Sequence, residues 1–370
     1  MTPAEKALRI KTIAGWLRLD LIGITTAAPP NRGEYYRRWL ARGYAGPLRY
    51  LTRNVRVRMD PSRLLPGART VICAAVAYKR TDGFQPDRGE DRRRVTAAPT
   101  GTVAQYARGR DYHTVLRKAL GELVVQARAE LREPFDARVL VDTAPLLERE
   151  LAARAGLGWI GRNTCLLNGR LGSYLLLGEI VTTLELPPDD PVPERCGRCE
   201  RCLQACPTGA LVAPYELDAA RCIACLTIEQ RGPIPAELHS AIGERVFGCD
   251  ACQQVCPYNA RAPLGRHPEI MADALPANVN LLETASLRSG AYRRLVAGTV
   301  ARRATRPMWQ RNAIIALRNV LPEADLAPTL AAALGSADAG VRDAADAAVA
   351  RRSTQPPPGG IIGSGIPRRS

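Results

Sequence analysis

The sequence has no long apolar stretch. Nowhere does it approach the roughly 18 to 20 consecutive apolar residues that cross a bilayer, and its first residues, about 30, lack the basic start, apolar centre and small-residue cleavage site of a secretory signal. Both absences predict a soluble, cytoplasmic protein with no membrane partner. The apolar fraction of 46% over 370 residues suffices for two or three packed domains and excludes a wholly disordered chain.

Lysine and histidine are scarce, and the basic charge is almost all arginine. Lys and Arg together number 52 against 36 acidic residues, which gives a net charge of +16. A surplus of this size indicates a polyanion partner, either nucleic acid or a membrane surface. The total charge alone does not choose between them.

The sequence contains eleven cysteines. An odd number in a reducing compartment is a poor basis for a disulfide framework, so metal or redox chemistry is the leading interpretation. Cys73 and Cys165 lie in apolar surroundings, where a small buried side chain is the ordinary interpretation. The other nine cysteines fall between Cys196 and Cys256.

The segment from Cys196 to Pro207 reads C-x2-C-x2-C-x3-C-P. This is the pattern of bacterial ferredoxins, in which three thiolates hold one [4Fe-4S] cluster and the fourth ligates the other. A second segment, Cys249 to Pro257, has the same ending but lacks the first cysteine, and Cys222 and Cys225 are the nearby replacements. The ferredoxin rule predicts one cluster on Cys196, Cys199, Cys202 and Cys256, and another on Cys206, Cys249, Cys252 and either Cys222 or Cys225. Two structural zinc sites are the alternative, although zinc ribbons need neither the third cysteine nor a Cys-Pro ending.

The patterning predicts an α+β chain with four regions. Residues 1–190 combine helical periodicity with short buried strands at 70–78 and 139–141, which is typical of an α/β domain. Residues 191–265 carry the cysteine runs and predict a ferredoxin-like domain. Residues 266–352 contain helices at 309–321 and 326–350, with breaks at 322 and 335–340, that resemble a HEAT-type pair. The polar segment 81–101 is predicted to be a surface loop and the segment 353–370 a disordered tail.

Several further motifs resemble epoxyqueuosine reductases. They are VDTAPLLER at 141–149, GLGWIGRNT at 156–164, GSY at 172–174 followed by LGE at 177–179, YARGRDYH at 106–113, and the CIACLT segment at 222–227. The resemblance covers about residues 5–350. It implies an oxidoreductase that uses cobalamin, bound by residues 1–190 and reduced through two [4Fe-4S] clusters, to convert epoxyqueuosine at the wobble position of transfer RNA to queuosine. The epoxide oxygen would leave as water.

The same resemblance implies that Asp142 is the proton donor. An ordinary aspartate is ionised at neutral pH, so a general acid here requires an environment that raises its pKa. From the residues alone, Asp142 is also suited to be a helix N-cap. His113 is expected to be a hydrogen-bonding wall residue rather than a cobalt ligand. The implied cobalamin pocket comprises Arg56, Gln105, Tyr106, Arg108, Asp111, Tyr112, His113, Asn163, Thr164, Cys165, Leu166, Ser173, Tyr174 and Thr227. Since family members generally have an aromatic residue at the position of Cys225, the resemblance assigns Cys222 as the cluster ligand.

The arginines are concentrated in one acid-free window. No acidic residue lies between Glu283 and Glu323, whereas eight arginines do. Uncompensated arginine favours RNA, because the guanidinium binds phosphate bidentately and stacks on bases. A second basic group lies beside Tyr50. The predicted transfer RNA contacts are Arg58, Arg293, Arg294, Arg302, Arg303, Arg306 and Arg311.

The implied partners are a transfer RNA with a GUN-type anticodon carrying epoxyqueuosine and an external electron donor of ferredoxin or flavodoxin type, and the protein is expected to be a monomer. Two alternatives stand beside this function. One is a corrinoid-dependent, dehalogenase-like reductase of a small substrate. The other is a ferredoxin-type electron carrier that docks through its basic surface, which would leave residues 1–190 without a purpose.

Overall fold

The computed structural model describes residues 1–80, 98–322 and 325–350. The predicted tail at 353–370 and most of the predicted loop at 81–101 therefore lie outside the described residues. The amino-terminal region contains α1 (Pro3–Trp16), β1 (Leu21–Thr26), α2 (Gly33–Ala41), α3 (Arg49–Thr52), α4 (Val55–Arg58), β2 (Thr70–Ala77), β3 (Thr100–Val103), α5 (Tyr112–Leu131), β4 (Ala137–Leu140), α6 (Glu148–Arg154), β5 (Trp159–Ile160), β6 (Leu166–Leu167) and β7 (Leu175–Thr182). Both predicted strands are present, as β2 and β4.

A four-stranded sheet in the order β1-β2-β7-β4 organises this region. Every residue of β2 is buried, because the strand is covered on both faces. Ile72 and Ala74 point to the core shared with α1 and α5, whereas Val71 and Cys73 point to the core shared with α6. All three strand pairings are antiparallel, so the mixed composition is as expected but the sheet is not built from the parallel units of a strict α/β domain.

The cysteine-rich region contains short elements joined by turns. They are α7 (Arg201–Gln204), β8 (Leu211–Ala213), β9 (Glu216–Leu217), α8 (Ile223–Ile228), α9 (His239–Ile242), β10 (Arg245–Phe247), α10 (Ala251–Gln254) and α11 (Pro257–Arg261). Ile223, Leu226 and Phe247 are buried in a core that continues into the carboxy-terminal helices. The segment between the two cysteine runs thus contributes apolar packing as well as thiols.

The carboxy-terminal region contains α12 (Pro268–Met271), β11 (Asn278–Asn280), α13 (Leu281–Ala285), α14 (Ser289–Leu295), α15 (Arg306–Val320), α16 (Ala327–Leu334) and α17 (Ala339–Ala350). The predicted helices and both breaks between them are confirmed. Helix α15 packs against α13 and α17, and its buried Trp309 stacks on Phe247 with 5.5 Å between ring centroids. No described helix is both long and apolar enough to cross a bilayer.

A second sheet joins the three regions. Strand β3 lies between β10, with which it pairs in parallel, and β11, with which it pairs antiparallel. Gly101 in β3 permits this close packing, because a Cβ there would come within 2.5 Å of side chains from both neighbouring segments. The turn that follows β3 carries Gln105 and Tyr106 to the junction of the regions.

Candidate functional site

Four of the predicted ligand cysteines line one small pocket. Its walls are formed by Cys196, Cys199, Cys202 and Cys256 together with Arg162, Asn163, Leu167, Arg201, Pro257 and Tyr258. The indole N–H of Trp159 donates to Cys196 Sγ at 3.4 Å, and Trp159 packs edge-on against Tyr258. Pro257 is the first residue of α11, where its missing N–H is harmless. The Cys-Pro ending therefore places a thiol immediately before a helix.

The second set of thiols is linked by mutual electrostatic effects. Burial raises the pKa of Cys222 to about 11, with smaller increases from the thiols of Cys249 and Cys206. The pKa of Cys252 is raised by its hydrogen bond to Cys165 and by burial, and to a lesser extent by Cys249 and Cys222. The thiol of Cys225 is influenced by Asp218 and Glu229 as well as by Cys222. These neighbours favour Cys222 over Cys225 as the fourth ligand, and the ligand set stays a prediction.

The donor set suits iron–sulfur clusters. Each group offers four thiols, and thiolates are the ligands that [4Fe-4S] clusters use. Burial raises the pKa of Cys202 to about 11, so iron must displace the protons when it binds. Cys165, expected to be a simple apolar side chain, hydrogen bonds to Cys252, which lowers its pKa to about 7.

Asp142 follows the edge strand β4 and sits in a strained turn. Its φ is +56°, in the left-handed region that disfavours residues other than glycine. Its backbone N–H donates to Glu148 Oε1 at 2.5 Å. The Asp142 side chain remains 56% accessible, although the surrounding protein desolvates it. The Asp142 carboxylate is therefore accessible to solvent. It does not cap α6, whose N-cap residue is Leu147.

A chain of hydrogen bonds leads away from this carboxylate. Asp142 Oδ2 lies 3.1 Å from His113 Nε2, and His113 Nδ1 lies 2.8 Å from Asp111 Oδ1. Asp111 Oδ2 in turn accepts from Arg302 Nη2 at 2.9 Å. The carboxy-terminal region is thus connected to the Asp142 turn through Arg302, Asp111 and His113.

The pKa of Asp142 is lowered, whereas a general acid at this position was expected to need a raised pKa. Burial raises it, but the hydrogen bond and charge of His113, the Tyr112 hydroxyl and the charge of Arg303 together leave it below the ordinary value. The pKa of His113 is raised: burial lowers it, but Asp142 and Asp111 more than offset that effect. Both shifts favour a proton on His113 and a negative charge on Asp142.

The residues expected around cobalamin fall into two groups. Some lie beside Asp142 or have polar atoms without a hydrogen-bond partner, and the others are already hydrogen bonded within the protein. Tyr106 and Tyr112 lie beside Asp142, whose charge raises the pKa of both phenols after the larger effect of burial. Three buried polar atoms have no hydrogen-bond partner among the described residues, namely Gln105 Nε2, Asn163 Nδ2 and the Tyr174 hydroxyl. Unsatisfied buried donors are costly, so these atoms fit a polar cofactor that would accept from them.

Other members of that set are already engaged. The Thr227 hydroxyl donates to Ile223 O at 2.7 Å and accepts from Gly248 N at 3.0 Å. The Ser173 hydroxyl accepts from Gln253 and Asn259. Buried members include Arg108, Leu166 and Thr227, whereas Thr164 is half-buried and Arg56 is exposed.

Two of the predicted RNA contacts are wrong. Arg311 is 1% exposed, and its guanidinium donates to the carbonyls of Gln230, Gly232 and Leu226. Arg58 is 7% exposed and donates to Leu146 O. Both guanidinium groups are buried and donate hydrogen bonds to backbone carbonyls, because buried carbonyls need donors.

The remaining arginines differ in exposure. Arg306 is half-buried and donates to Leu287 O. Arg293 and Arg294 are exposed on α14. Arg302 keeps 69% of its side chain accessible, and Arg303 pairs with both oxygens of Glu229 at 2.8 Å while its guanidinium lies 5.9 Å from the ring of Tyr50. Five arginines of the acid-free window are therefore exposed, namely Arg288, Arg293, Arg294, Arg302 and Arg303, and the charge of Arg303 acts on Asp142.

Four thiols around one pocket, together with a carboxylate–imidazole pair elsewhere in the fold, indicate an iron–sulfur oxidoreductase. Residues 58–143 match the family described as "Epoxyqueuosine reductase QueG, DUF1730", and residues 195–259 match the "4Fe-4S double cluster binding domain". The epoxyqueuosine reductase of Xanthomonas campestris is 39% identical over 329 residues, which is 89% of this chain and 91% of that protein. The chain therefore belongs to the epoxyqueuosine reductase family, and the double-cluster match excludes the zinc alternative.

Solved structures agree with this assignment. An epoxyqueuosine reductase with an epoxyqueuosine-modified transfer RNA stem loop is 30% identical, with a TM-score of 0.81 over 93% of this chain and 89% of that one. The Bacillus subtilis epoxyqueuosine reductase, 29% identical with a TM-score of 0.81 over 93% and 90% of the two chains, was solved with its catalytic aspartate loop swung out of the active site.

Sequence reasoning missed Glu148 and Glu179. Both belong to motifs that carried the resemblance, but the contact of Glu148 with the backbone of Asp142 depends on the turn between β4 and α6. An acidic residue in the first turn of a helix is the only local signal for Glu148. Glu179 carries no such signal, because a single acid in an apolar strand does not reveal its partner.

Proposed function

We propose that the protein reduces epoxyqueuosine to queuosine at the wobble position of transfer RNA. Opening the epoxide and removing its oxygen as water consumes two electrons and two protons. The observation that carries the proposal is the Asp142–His113 pair, which is connected through Asp111 to the exposed Arg302. The relative with a modified stem loop supports a transfer RNA substrate, and the GUN-type anticodon remains part of the proposal.

His113 and Asp142 supply the proton. His113 Nε2 lies 3.1 Å from Asp142 Oδ2, so a protonated His113 can pass its proton to this carboxylate, which delivers it as charge develops on the departing oxygen. Asp111 and Arg302 hold the imidazole in this orientation from the other side. Tyr112 donates its hydroxyl to the same carboxylate. Asp142 is therefore proposed as the group that delivers the proton and His113 as its source.

Cobalamin is the proposed second cofactor, and when bound it supplies a strongly reducing cobalt centre beside the epoxide. The unsatisfied donors of Gln105, Asn163 and Tyr174 would hold its polar groups. Tyr106 would form an aromatic wall, and His113 would remain a hydrogen-bonding residue because both of its ring nitrogens are engaged.

Electrons enter from an external donor of ferredoxin or flavodoxin type. Cys196, Cys199 and Cys202 are half-buried, and Arg195, Arg198 and Arg201 are exposed beside them in the chain. Proteins of these donor classes are acidic, so these arginines have the complementary charge.

The test is an anaerobic assay of cobalamin-reconstituted protein with a chemical reductant and transfer RNA carrying epoxyqueuosine. Wild-type protein should form queuosine. Asp142→Ala should retain iron, sulfide and the cobalamin absorption spectrum but lose turnover, because it removes the proton-delivering carboxylate. Asp136→Ala, which removes an exposed carboxylate at the other end of β4, is the matched control and should keep full activity.

The proposal fails if wild-type protein with both cofactors forms no queuosine. Full activity of Asp142→Ala would instead move proton delivery to another group while leaving the substrate assignment intact.

A further inference from the structure

Two carboxyl groups near the Asp142 turn, the buried Glu179 and the half-buried Glu148, have no part in the reaction as described. Glu179 is 0% exposed in the middle of β7, where it pairs in register with Cys73 of β2 and Leu140 of β4. Neither of its oxygens has a hydrogen-bond partner of normal length among the described residues. After burial, the group with the largest influence on Glu179 is Glu148, the first residue of α6.

Glu148 connects this buried acid to the catalytic turn. Its Oε1 accepts the backbone N–H of Asp142 at 2.5 Å. Other contacts along the turn are the 2.6 Å bond from Thr143 N to Val141 O, the bond from Arg117 Nη2 to Thr143 Oγ1 at 3.2 Å and the bond from Arg58 Nη1 to Leu146 O at 3.2 Å, but none of them involves the backbone N–H of Asp142. Because Asp142 adopts a φ of +56°, its conformation is costly by about 1 kcal/mol or more and persists only when its surroundings impose it. Glu148 supplies a side-chain anchor for that conformation.

The charges of the two acids differ. Burial, followed by the negative charge of Glu148, raises the pKa of Glu179 well above its ordinary value, which favours the neutral form of its carboxyl group. Burial and the charge of Asp142 raise the pKa of Glu148 to about 7. The titratable groups facing Glu148 are Asp142 in the turn, Glu179 on β7, Arg149 on α6, Tyr112 on α5 and Cys73 on β2.

We propose that Glu148 is a positioning residue that holds the Asp142 turn in its working conformation, and that the neutral Glu179 supports it. The proposal rests on the proposed function, in which Asp142 delivers the proton. It adds an anchor whose strength depends on charge, because a carboxylate accepts a hydrogen bond more strongly than a neutral acid does. Protonation of Glu148 therefore loosens the turn as the pH falls below about 7.

The motion invoked has a counterpart in a relative. The Bacillus subtilis enzyme was solved with its catalytic aspartate loop swung out of the active site. In this chain the turn from Asp142 to Leu147 connects β4 to α6, so release of Asp142 N from Glu148 frees the end of the turn that carries the carboxylate.

The direct test is amide hydrogen exchange in the holoenzyme, read on a peptide covering residues 141–147. Glu148→Ala should exchange about tenfold faster at Asp142, the change expected for loss of one charge-assisted hydrogen bond. Glu148→Gln keeps an acceptor oxygen without a titrating proton and should restore most of the protection. Glu150→Ala is the matched control, since Glu150 is also an acid of α6 but accepts from Asn31 N.

The pH dependence provides a second measurement. After correction for intrinsic exchange, protection of the turn in wild-type protein should fall between pH 8 and pH 6, and Glu148→Gln should show no such fall. This comparison remains decisive even if Glu148→Ala does not fold. In turnover assays, Glu148→Ala should lower kcat about tenfold with an unchanged KM for transfer RNA, and Glu148→Gln should recover most of it.

Equal exchange in wild type and Glu148→Ala, or an equal effect of Glu150→Ala, overturns the anchor. Loss of protection in Glu148→Ala without queuosine formation by wild type would leave the anchor in place and refute the proposed function instead.

Discussion

At the scale of single residues, the main choice lies between Cys222 and Cys225. They are three positions apart, and the ferredoxin pattern accepts either as the missing ligand. Cys222 is the residue before α8, and its thiol lies near those of Cys249 and Cys206. Cys225 lies within α8, is 8% exposed and faces Glu229 and Asp218. A thiolate beside two carboxylates is a poor cluster ligand, because like charges disfavour its ionised form.

Replacing these cysteines one at a time should separate their roles. Cys222→Ser should lose about half of the bound iron, as expected when one of two cubane clusters loses a thiolate, and should lose the corresponding signal in electron paramagnetic resonance. Cys225→Ser should keep both signals and serves as the control, being an equal change one helical turn away. Loss of iron from Cys225→Ser with normal iron in Cys222→Ser would reverse the assignment.

At the scale of elements, the arginines of the acid-free window have two roles: those of α15 include a buried residue that holds the fold together, and those of α14 are exposed. Arg311 lies on the buried face of α15 and holds α8 through the carbonyls of Leu226 and Gln230. The neighbouring Asn312 donates to Thr227 O and Val246 O. The helix is thus fastened to the cysteine-rich region by polar bonds inside an apolar core, whereas α14 carries its arginines on the outside.

Exposed and buried arginines should therefore respond differently to substitution. Arg293→Ala with Arg294→Ala should reduce the slope of log Kd against log salt for transfer RNA by about 2 and leave the melting temperature unchanged. Arg311→Ala should lower the free energy of unfolding by about 3 kcal/mol, because it leaves buried carbonyls without donors. An Arg311→Ala protein that melts normally but binds RNA weakly would contradict the assignment.

Sequence patterns predicted the elements better than the contacts between them. The buried strands, the helices of the carboxy-terminal region and the cysteine sets followed from periodicity and spacing, which are local properties. Arg311 and Arg58 were assigned to the surface because charge does not reveal a carbonyl partner far along the chain. The pKa of Asp142 had the wrong sign for the same reason: His113, 29 positions earlier, decides it. Even the antiparallel pairing of the sheet depends on long-range register.

At the scale of the whole molecule, exposed arginines occur in two separate parts of the chain. Arg195, Arg198 and Arg201 are exposed beside the first cysteine run, whereas the exposed Arg302 of the carboxy-terminal region donates to Asp111. We therefore expect an acidic electron donor and RNA to bind different groups of arginines.

Charge reversal at the outer surface should affect only the protein donor. Arg198→Glu with Arg201→Glu should slow cluster reduction by an acidic ferredoxin or flavodoxin about tenfold at low salt, where electrostatic steering is strongest. Reduction by a small chemical reductant should be unchanged. The Arg293→Ala and Arg294→Ala protein is the control for general loss of positive charge. Equal slowing with both reductants would mean that the cluster itself was damaged.

Strand β3 has a consequence for how the chain is made. It emerges from the ribosome early, yet both of its partners, β10 and β11, are synthesised well over a hundred residues later. Until then its hydrogen-bonding edges are open to other strands. The amino-terminal half therefore cannot complete its fold as a nascent chain, and a protein cut after β7 would carry an unpaired strand prone to aggregation.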